Sequence, residues 1–346
     1  MDPVTQAVLG GTIGEAAFRS RLGKKAGPFG AVVATLPDLD VVAVWAGDFA
    51  FLEHHRAASH SLLTLPLFAL AVGGTAYLWD RKGGYWTWTH LSFWALITHP
   101  ILDWCTAYGT ELFWPIDRTR LACDAVAVID PVYTLPLLFA FVLGCLRPPT
   151  SRSVRHVALA ALCITTLYLA YGYAQSRRAY SLASDELHRQ GFQVTELRAT
   201  PALFSIWLWR LTARDPAGNL RLGFVSTWTP RPIKFLPVTR PESPLIDKAL
   251  RSREGKIFEA FAQRMLAIEV VENATGNTVF LADSRYNFTT APRQTPFGAF
   301  FDFGRDGKLR AARRDRQARQ VDVISELAQM WALIRGARYD PASFER

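Results

Sequence analysis

Cysteine is scarce in this chain of 346 residues: there are four, at positions 105, 123, 145 and 163, and none after that. The second half therefore cannot be an exported domain stapled by disulfides, and no Cys-x-x-Cys pair offers a thiolate metal site. Cys105 and Cys123 are close enough in sequence to share a loop and pair there. A basic leader is missing too. The chain opens Met1-Asp2-Pro3, with no cationic stretch before its first apolar run, so residues 4–18 are expected to form a helix lying against a membrane or a helix bundle rather than a signal peptide. Internal repeats and low-complexity tracts are absent. Histidine is limited to seven residues, and five of them fall between His54 and His99.

Half of the residues are hydrophobic, but they are unevenly spread. Residues 61–79 and 157–174 carry no charge. Residues 85–102 carry only His90 and His99, and residues 126–146 only Asp130. At about 1.5 Å per residue, each is of a length that crosses a hydrocarbon core of roughly 30 Å. Residues 26–47 form a fifth candidate, interrupted by Pro37, Asp38 and Asp40, and are expected to bend or re-enter. The expected architecture is an α-helical multi-spanning membrane domain of four or five helices, residues 1–174, followed by a small soluble α+β domain, residues 175–346.

The net charge of +9 would suit a nucleic-acid partner, yet its distribution argues against one. Nine Lys and Arg residues lie in loops 19–25, 81–82 and 147–155, and only Arg56, Arg118 and Arg120 in the alternate loops 48–60 and 105–125. The positive-inside rule makes the first set cytoplasmic. The His-rich loop, the loop after Asp103 and the tail are then expected on the outer face of a bacterial inner membrane.

In the tail, alternating or β-rich runs at 193–198, 205–211, 220–227 and 278–281 predict strands of a mostly antiparallel sheet, and residues 257–267 and 321–334 have helical periodicity. The Arg-dense stretch 305–319 is expected to be a solvated loop or a helix start.

Ionisable groups set in membrane-grade sequence are costly and usually functional. Here they are Pro37-Asp38-Leu39-Asp40, then His54-His55-Arg56-Ala57-Ala58-Ser59-His60-Ser61, then His99-Pro100-Ile101-Leu102-Asp103. Imidazole with carboxylate is the donor set of zinc and manganese sites. His60 opens one apolar run, while His99 and Asp103 close the next, so all three fall at one membrane face. Asp38, Asp40 and Asp130 approach the same level. His99 and Asp103, four apart, share a helix face. Ser59 and Ser61 can orient imidazoles, and the planar fork of Arg56 suits an anion. Plainer roles fit the others: a helix–helix hydrogen bond for His90, a helix cap for Asp130, solvation for Asp117 and Asp124, and interfacial packing for Trp86, Trp88 and Trp94.

These motifs resemble the YdjM-type family of bacterial membrane-bound metal-dependent hydrolases. Met1-Asp2-Pro3-Val4-Thr5, Tyr108-Gly109-Thr110 and Ile129-Asp130-Pro131 match as well, so the likeness covers about residues 1–140. The resemblance implies a multi-spanning membrane protein with a bound divalent metal and hydrolytic activity; the donor set suits zinc or manganese, and a site at the lipid–water boundary suggests a small or amphiphilic phosphoester or ester as substrate. Asp38, His55, His60, His99 and Asp103 would hold the ion, Asp40 would act as general base, and Arg56 would stabilise developing charge. One departure stands out. The family has His after the early Thr where this chain has Gln6, and Glu15 is the nearby replacement to consider. Two other classes use the same residues: a transporter passing a metal ion, and a non-catalytic membrane scaffold.

Overall fold

The computed structural model describes residues 1–274, 276–315 and 322–340. They gather into two compact units, one built from residues 1–43 and 54–173, the other from 44–53 and 174–346.

The first unit is helical. α1 (Pro3–Ile13) starts where the Asp2 carboxylate accepts the backbone N–H of Thr5, with Pro3 in the first turn. A single π-helical turn (Gly14–Phe18) leads to α2 (Arg19–Leu22), and α3 (Ala26–Thr35) then runs back along α1. Those two helices touch at Gly10 and Gly30: a Cβ on Gly10 would sit 2.4 Å from the Ala34 Cβ and from the Gly30 carbonyl oxygen. From Leu36 to Ala46 the backbone tightens to 3-10 geometry, and this stretch carries Asp38 and Asp40. α4 (Asp48–His54) and the short turn Ala58–His60 precede a packed hairpin, α5 (Leu65–Trp79) and α6 (Tyr85–Trp104). α7 (Pro131–Leu146) and α8 (Arg152–Arg189) follow. Val8, Leu9, Leu102, Val126, Tyr133 and Leu137 form the core joining α1, α6 and α7, and the Thr12 hydroxyl donates to the Leu137 carbonyl across it.

Two helical runs are by themselves long and apolar enough to cross a bilayer, Pro3–Ala46 and Arg152–Arg189. A third qualifies if Asp48–His60 and Leu65–Trp79, bent by 72°, make one broken span. The two further crossings expected from sequence fall on helices too short or too polar to qualify by length and composition. α6 has 20 residues but includes Thr87, Thr89, His90, Ser92, His99 and Asp103, and α7 has only 16.

The second unit holds two antiparallel sheets of four strands, where the alternation in sequence pointed to one. β1 (Glu196–Pro201), β2 (Leu208–Arg214), β3 (Leu220–Ser226) and β4 (Leu236–Val238) pair in chain order. So do β5 (Leu266–Asn273), β6 (Gly276–Asp283), β7 (Gly298–Gly304) and β8 (Leu309–Asp315). Between the sheets run α9 (Pro244–Arg251) and α10 (Arg253–Phe261), and α11 (Val323–Ile334) follows β8.

Three expectations change here. The helix foreseen over 257–267 stops at Phe261, because Gln263 and Arg264 turn to positive φ and Leu266 begins β5. The Arg-rich stretch is an edge strand as far as Asp315, and its residues 316–319 lie outside the described residues. The last helix begins at Val323 under an Asp322 cap, Val321 lying outside the described residues. Buried Arg210 binds the carbonyls of Asn287 and Arg285, and burial lowers its pKa to about 10. Residues 44–53 belong here by direct packing. The Phe49 ring is 6.3 Å from that of Phe301, Arg314 lies over Phe51, and Arg253 pairs with Glu53 at 2.9 Å.

Candidate metal centre

Four side chains from three stretches of the first unit converge: Asp38, His60, His99 and Asp103, with one donor atom of each within 4.8 Å of all the others. Asp38 comes from the 3-10 segment, His60 from the turn before α5, and His99 and Asp103 from one face of α6. His60, His99 and Asp103 are fully buried, whereas the Asp38 side chain keeps 20% of its surface exposed and forms the open side.

Hydrogen bonds behind the ring fix where each imidazole carries its proton. His99 Nδ1 lies 2.6 Å from the Ala34 carbonyl oxygen, which can only accept, so Nδ1 holds the proton and Nε2 presents its lone pair. The Ser59 hydroxyl donates to Asp40 Oδ2 at 2.6 Å and therefore accepts from His60 Nδ1 at 2.9 Å. His60 Nε2 is then also an acceptor. These two nitrogens face each other at 3.1 Å. Asp38 Oδ1 is 3.6 Å from His60 Nε2 and 3.5 Å from His99 Nε2; Asp103 Oδ2 is 3.3 Å and 3.6 Å from the same atoms. With both imidazoles neutral, these are four acceptors that repel one another at such distances, and a cation among them would relieve that.

The spacing suits a small divalent ion. Donors at roughly 2.0–2.2 Å around a tetrahedral ion stand about 3.4 Å apart, and the five separations bracket that value. Orphaned oxygens point the same way. Asp38 Oδ2, Asp103 Oδ2 and Gln6 Oε1 are buried without a hydrogen-bond partner, which in a native interior calls for an explanation such as a bound ion.

The surrounding side chains hold the four in place. Asp40 takes His55 Nδ1 at 2.6 Å, the Ser59 hydroxyl and the Arg56 backbone N–H at 3.1 Å, and lies 3.4 Å from His60 Nδ1. This is the carboxylate–histidine relay that orients metal-binding imidazoles. Arg56, buried, has a left-handed backbone (φ 63°). Its Nε stands 3.1 Å from Asp103 Oδ2, its guanidinium donates to the Thr106 hydroxyl, and its plane lies 4.3 Å over the Tyr108 ring. Gln6 Nε2 donates to the His99 carbonyl and to Asp103 Oδ1, each at 3.2 Å, and the Met1 amino group also reaches Asp103.

Of the residues singled out in sequence, Asp38, His60, His99 and Asp103 come together. His55 and Asp40 stand one layer back, bonded to each other, and Arg56 stands behind Asp103. Glu15 is engaged elsewhere, by Arg19, whose guanidinium also takes the carbonyls of Gly144, Arg147 and Pro148 at the end of α7, so it does not replace the histidine missing at position 6. Asp130 caps α7 through the N–H groups of Val132 and Tyr133 and accepts from the Tyr168 hydroxyl. His54 and His90 are exposed, and Cys105 and Cys123 are free thiols. The Ala34 carbonyl was missed and could not have been found, because a main-chain acceptor leaves no trace in a sequence. Thr106 and Tyr108 had a signal: they follow directly on the Asp103 motif.

The first unit is helical and apolar, and its runs Pro3–Ala46 and Arg152–Arg189 are long and apolar enough to cross a membrane. The family comparison agrees. Residues 1–179 match the model described as YdjM inner membrane protein, and the chain belongs to that family. It is also similar to the uncharacterized protein YfhP of Bacillus subtilis (strain 168), 26% identical over 108 residues, which are 29% of this chain and 32% of YfhP. The chain thus covers about a third of that relative's length. No solved structure matches it.

Proposed function

We propose that Asp38, His60, His99 and Asp103 bind one divalent cation, zinc or manganese, and that the protein is a metal-dependent hydrolase of a phosphoester or ester at the outer membrane face. The observation that carries the reading is the convergence of two carboxylates and two imidazoles, with one ligand atom of each within 4.8 Å of all the others. When bound, such an ion supplies Lewis acidity to a scissile ester or phosphoryl group and to an attacking water. The Ala34 carbonyl and Asp40 keep both imidazoles in the lone-pair form that a cation needs. Arg56, held behind Asp103, balances the charge of that carboxylate. Asp38 marks the side from which a substrate enters, since it alone of the four reaches solvent. The outer-face assignment rests on the Lys and Arg distribution.

Elemental mass spectrometry of the detergent-purified protein tests this. One ion per chain is expected in wild type. His60→Ala and Asp103→Ala should lose it, with thermal unfolding recorded alongside to separate loss of the ion from loss of the fold. Well-folded wild type that stays empty after soaking in zinc and in manganese overturns the reading. A loaded protein that turns over none of a panel of phosphoesters and esters keeps the centre and removes the hydrolase.

A further inference from the structure

The final helix of the second unit has two apolar faces, and the unit uses only one. On the inner face Met330, Leu333 and Ile334 pack with Leu208, Phe224 and Tyr339. The orientation is pinned by Glu326, which accepts from the N–H groups of Thr289 and Thr290 at 2.7 and 2.9 Å, and by the Ile334 carbonyl, which takes the Ser226 and Thr229 hydroxyls. The outer face therefore points in a fixed direction. It presents Val323, Ile324, Leu327 and Trp331, with Ile324 79% and Trp331 54% exposed.

The surface continues at the C-terminal end of α11. Trp228, 64% exposed, sits next to the residue that bonds Ile334 and meets Trp207 edge-on, ring centroids 5.7 Å apart, and Trp207 packs against the same core. Phe204, in the β1–β2 turn, is exposed as well. Cations surround that end. The Arg335 guanidinium lies 5.8 Å over the Trp331 ring, Arg231 approaches the helix terminus at Gly336, and Arg338 is exposed. The nearby acids are occupied: Asp322 caps the helix and Asp340 pairs with Lys234.

Single exposed apolar residues need no explanation, but a rigid face of this kind with tryptophans and arginines at its edge does. Trp and Arg are the side chains that settle at a lipid–water boundary, above aliphatic residues that enter the acyl region. Connectivity supplies the bilayer. α8, one of the two runs long and apolar enough to span it, continues directly into this unit and keeps a membrane at high effective concentration.

We propose that this face is a membrane-docking surface, with Ile324, Leu327 and Trp331 at the headgroup–acyl boundary and Arg231, Arg335 and Arg338 against anionic headgroups. The site is independent of the metal centre. The full chain is reconstituted in nanodiscs of phosphatidylcholine and phosphatidylglycerol brominated near the headgroup end of the acyl chains, and its tryptophan quenching is compared with that in unbrominated discs. Removing a quenched emitter lowers the quenched fraction of the total emission; removing an unquenched one raises it. Trp331→Phe and Trp228→Phe should each lower it, while Ile324→Asp, with Trp331 kept, should lower it less than the loss of the indole itself. A rise in both Phe variants overturns the proposal and turns attention to a protein partner or a second copy on this face. An unchanged Trp331 contribution in pure phosphatidylcholine overturns the anionic-headgroup part.

Discussion

Asp40 illustrates how the environment sets a side chain's role. As a carboxylate two residues after Asp38 in sequence it could have been a ligand or a base. In the structure its two oxygens are taken by His55, Ser59 and the Arg56 N–H, and through Ser59 it governs the His60 tautomer. Asp40→Asn should therefore weaken metal binding about 10–100-fold while leaving the stoichiometry at saturation unchanged, measured by competition with a chelator of known affinity. Gln6 allows the opposite change. Its amide already touches Asp103 and the His99 carbonyl, so Gln6→His should bring an imidazole to the edge of the group and slow loss of the ion to chelator. The four convergent residues could be read from sequence because charge in an apolar run is conspicuous. The layer behind them was half legible, Ser59 and Asp40 by proximity but the Ala34 carbonyl not at all.

Helices of the first unit are held by close approach rather than by bulk. Gly10→Ala would drive a methyl group into Ala34 and the Gly30 carbonyl, neither of which can swing aside. We expect about 1–3 kcal/mol of destabilisation, read from thermal unfolding in detergent, together with partial loss of metal because Ala34 carries the acceptor that orients His99. In the second unit the Asp322 carboxyl is held below its ordinary value by the Ser325 hydroxyl and then by the Ile324 N–H. A carboxyl whose folded pKa is depressed stabilises above the unfolded value, roughly 4, and that support is lost as the pH falls through the folded value. The gap in urea midpoint between wild type and Asp322→Asn should be present at pH 7 and close in acid. Apolar runs made α5, α6 and α7 legible, with ends shifted by five residues or fewer, whereas α8 runs on fifteen residues past the apolar stretch that ends at Ala174. The strands were harder. β8 is an exposed edge whose arginines hide its alternation, and β5 begins with a one-residue gap after the positive-φ pair Gln263 and Arg264, which no pattern announced.

For the protein in its membrane, the Lys and Arg bias predicts that the loop holding Asp117 faces outward. A cysteine introduced there as Asp117→Cys, in a background with Cys105, Cys123, Cys145 and Cys163 replaced by serine, should react with a membrane-impermeant maleimide in intact cells. Labelling only after lysis would invert the assignment. Family membership and the apolar helices fix the inner membrane setting, while the number of crossings depends on how α6 and α7, one polar and one short, lie with respect to the lipid.

Residues 44–53 pack with the second unit although they lie between Asp40 and His55 in the chain. The protein is therefore not modular in the genetic sense. A fragment cut at residue 174 would lack Phe49, Phe51 and Glu53, the partners of Phe301, Arg314 and Arg253, and should fold less well than the same fragment supplied with a 44–53 peptide. Recombination that exchanged the tail alone would leave those ten residues facing a foreign surface, in the middle of the stretch that builds the Asp38–His60–His99–Asp103 group. A tail of this kind is inherited together with its membrane half, or the ten residues must change with it.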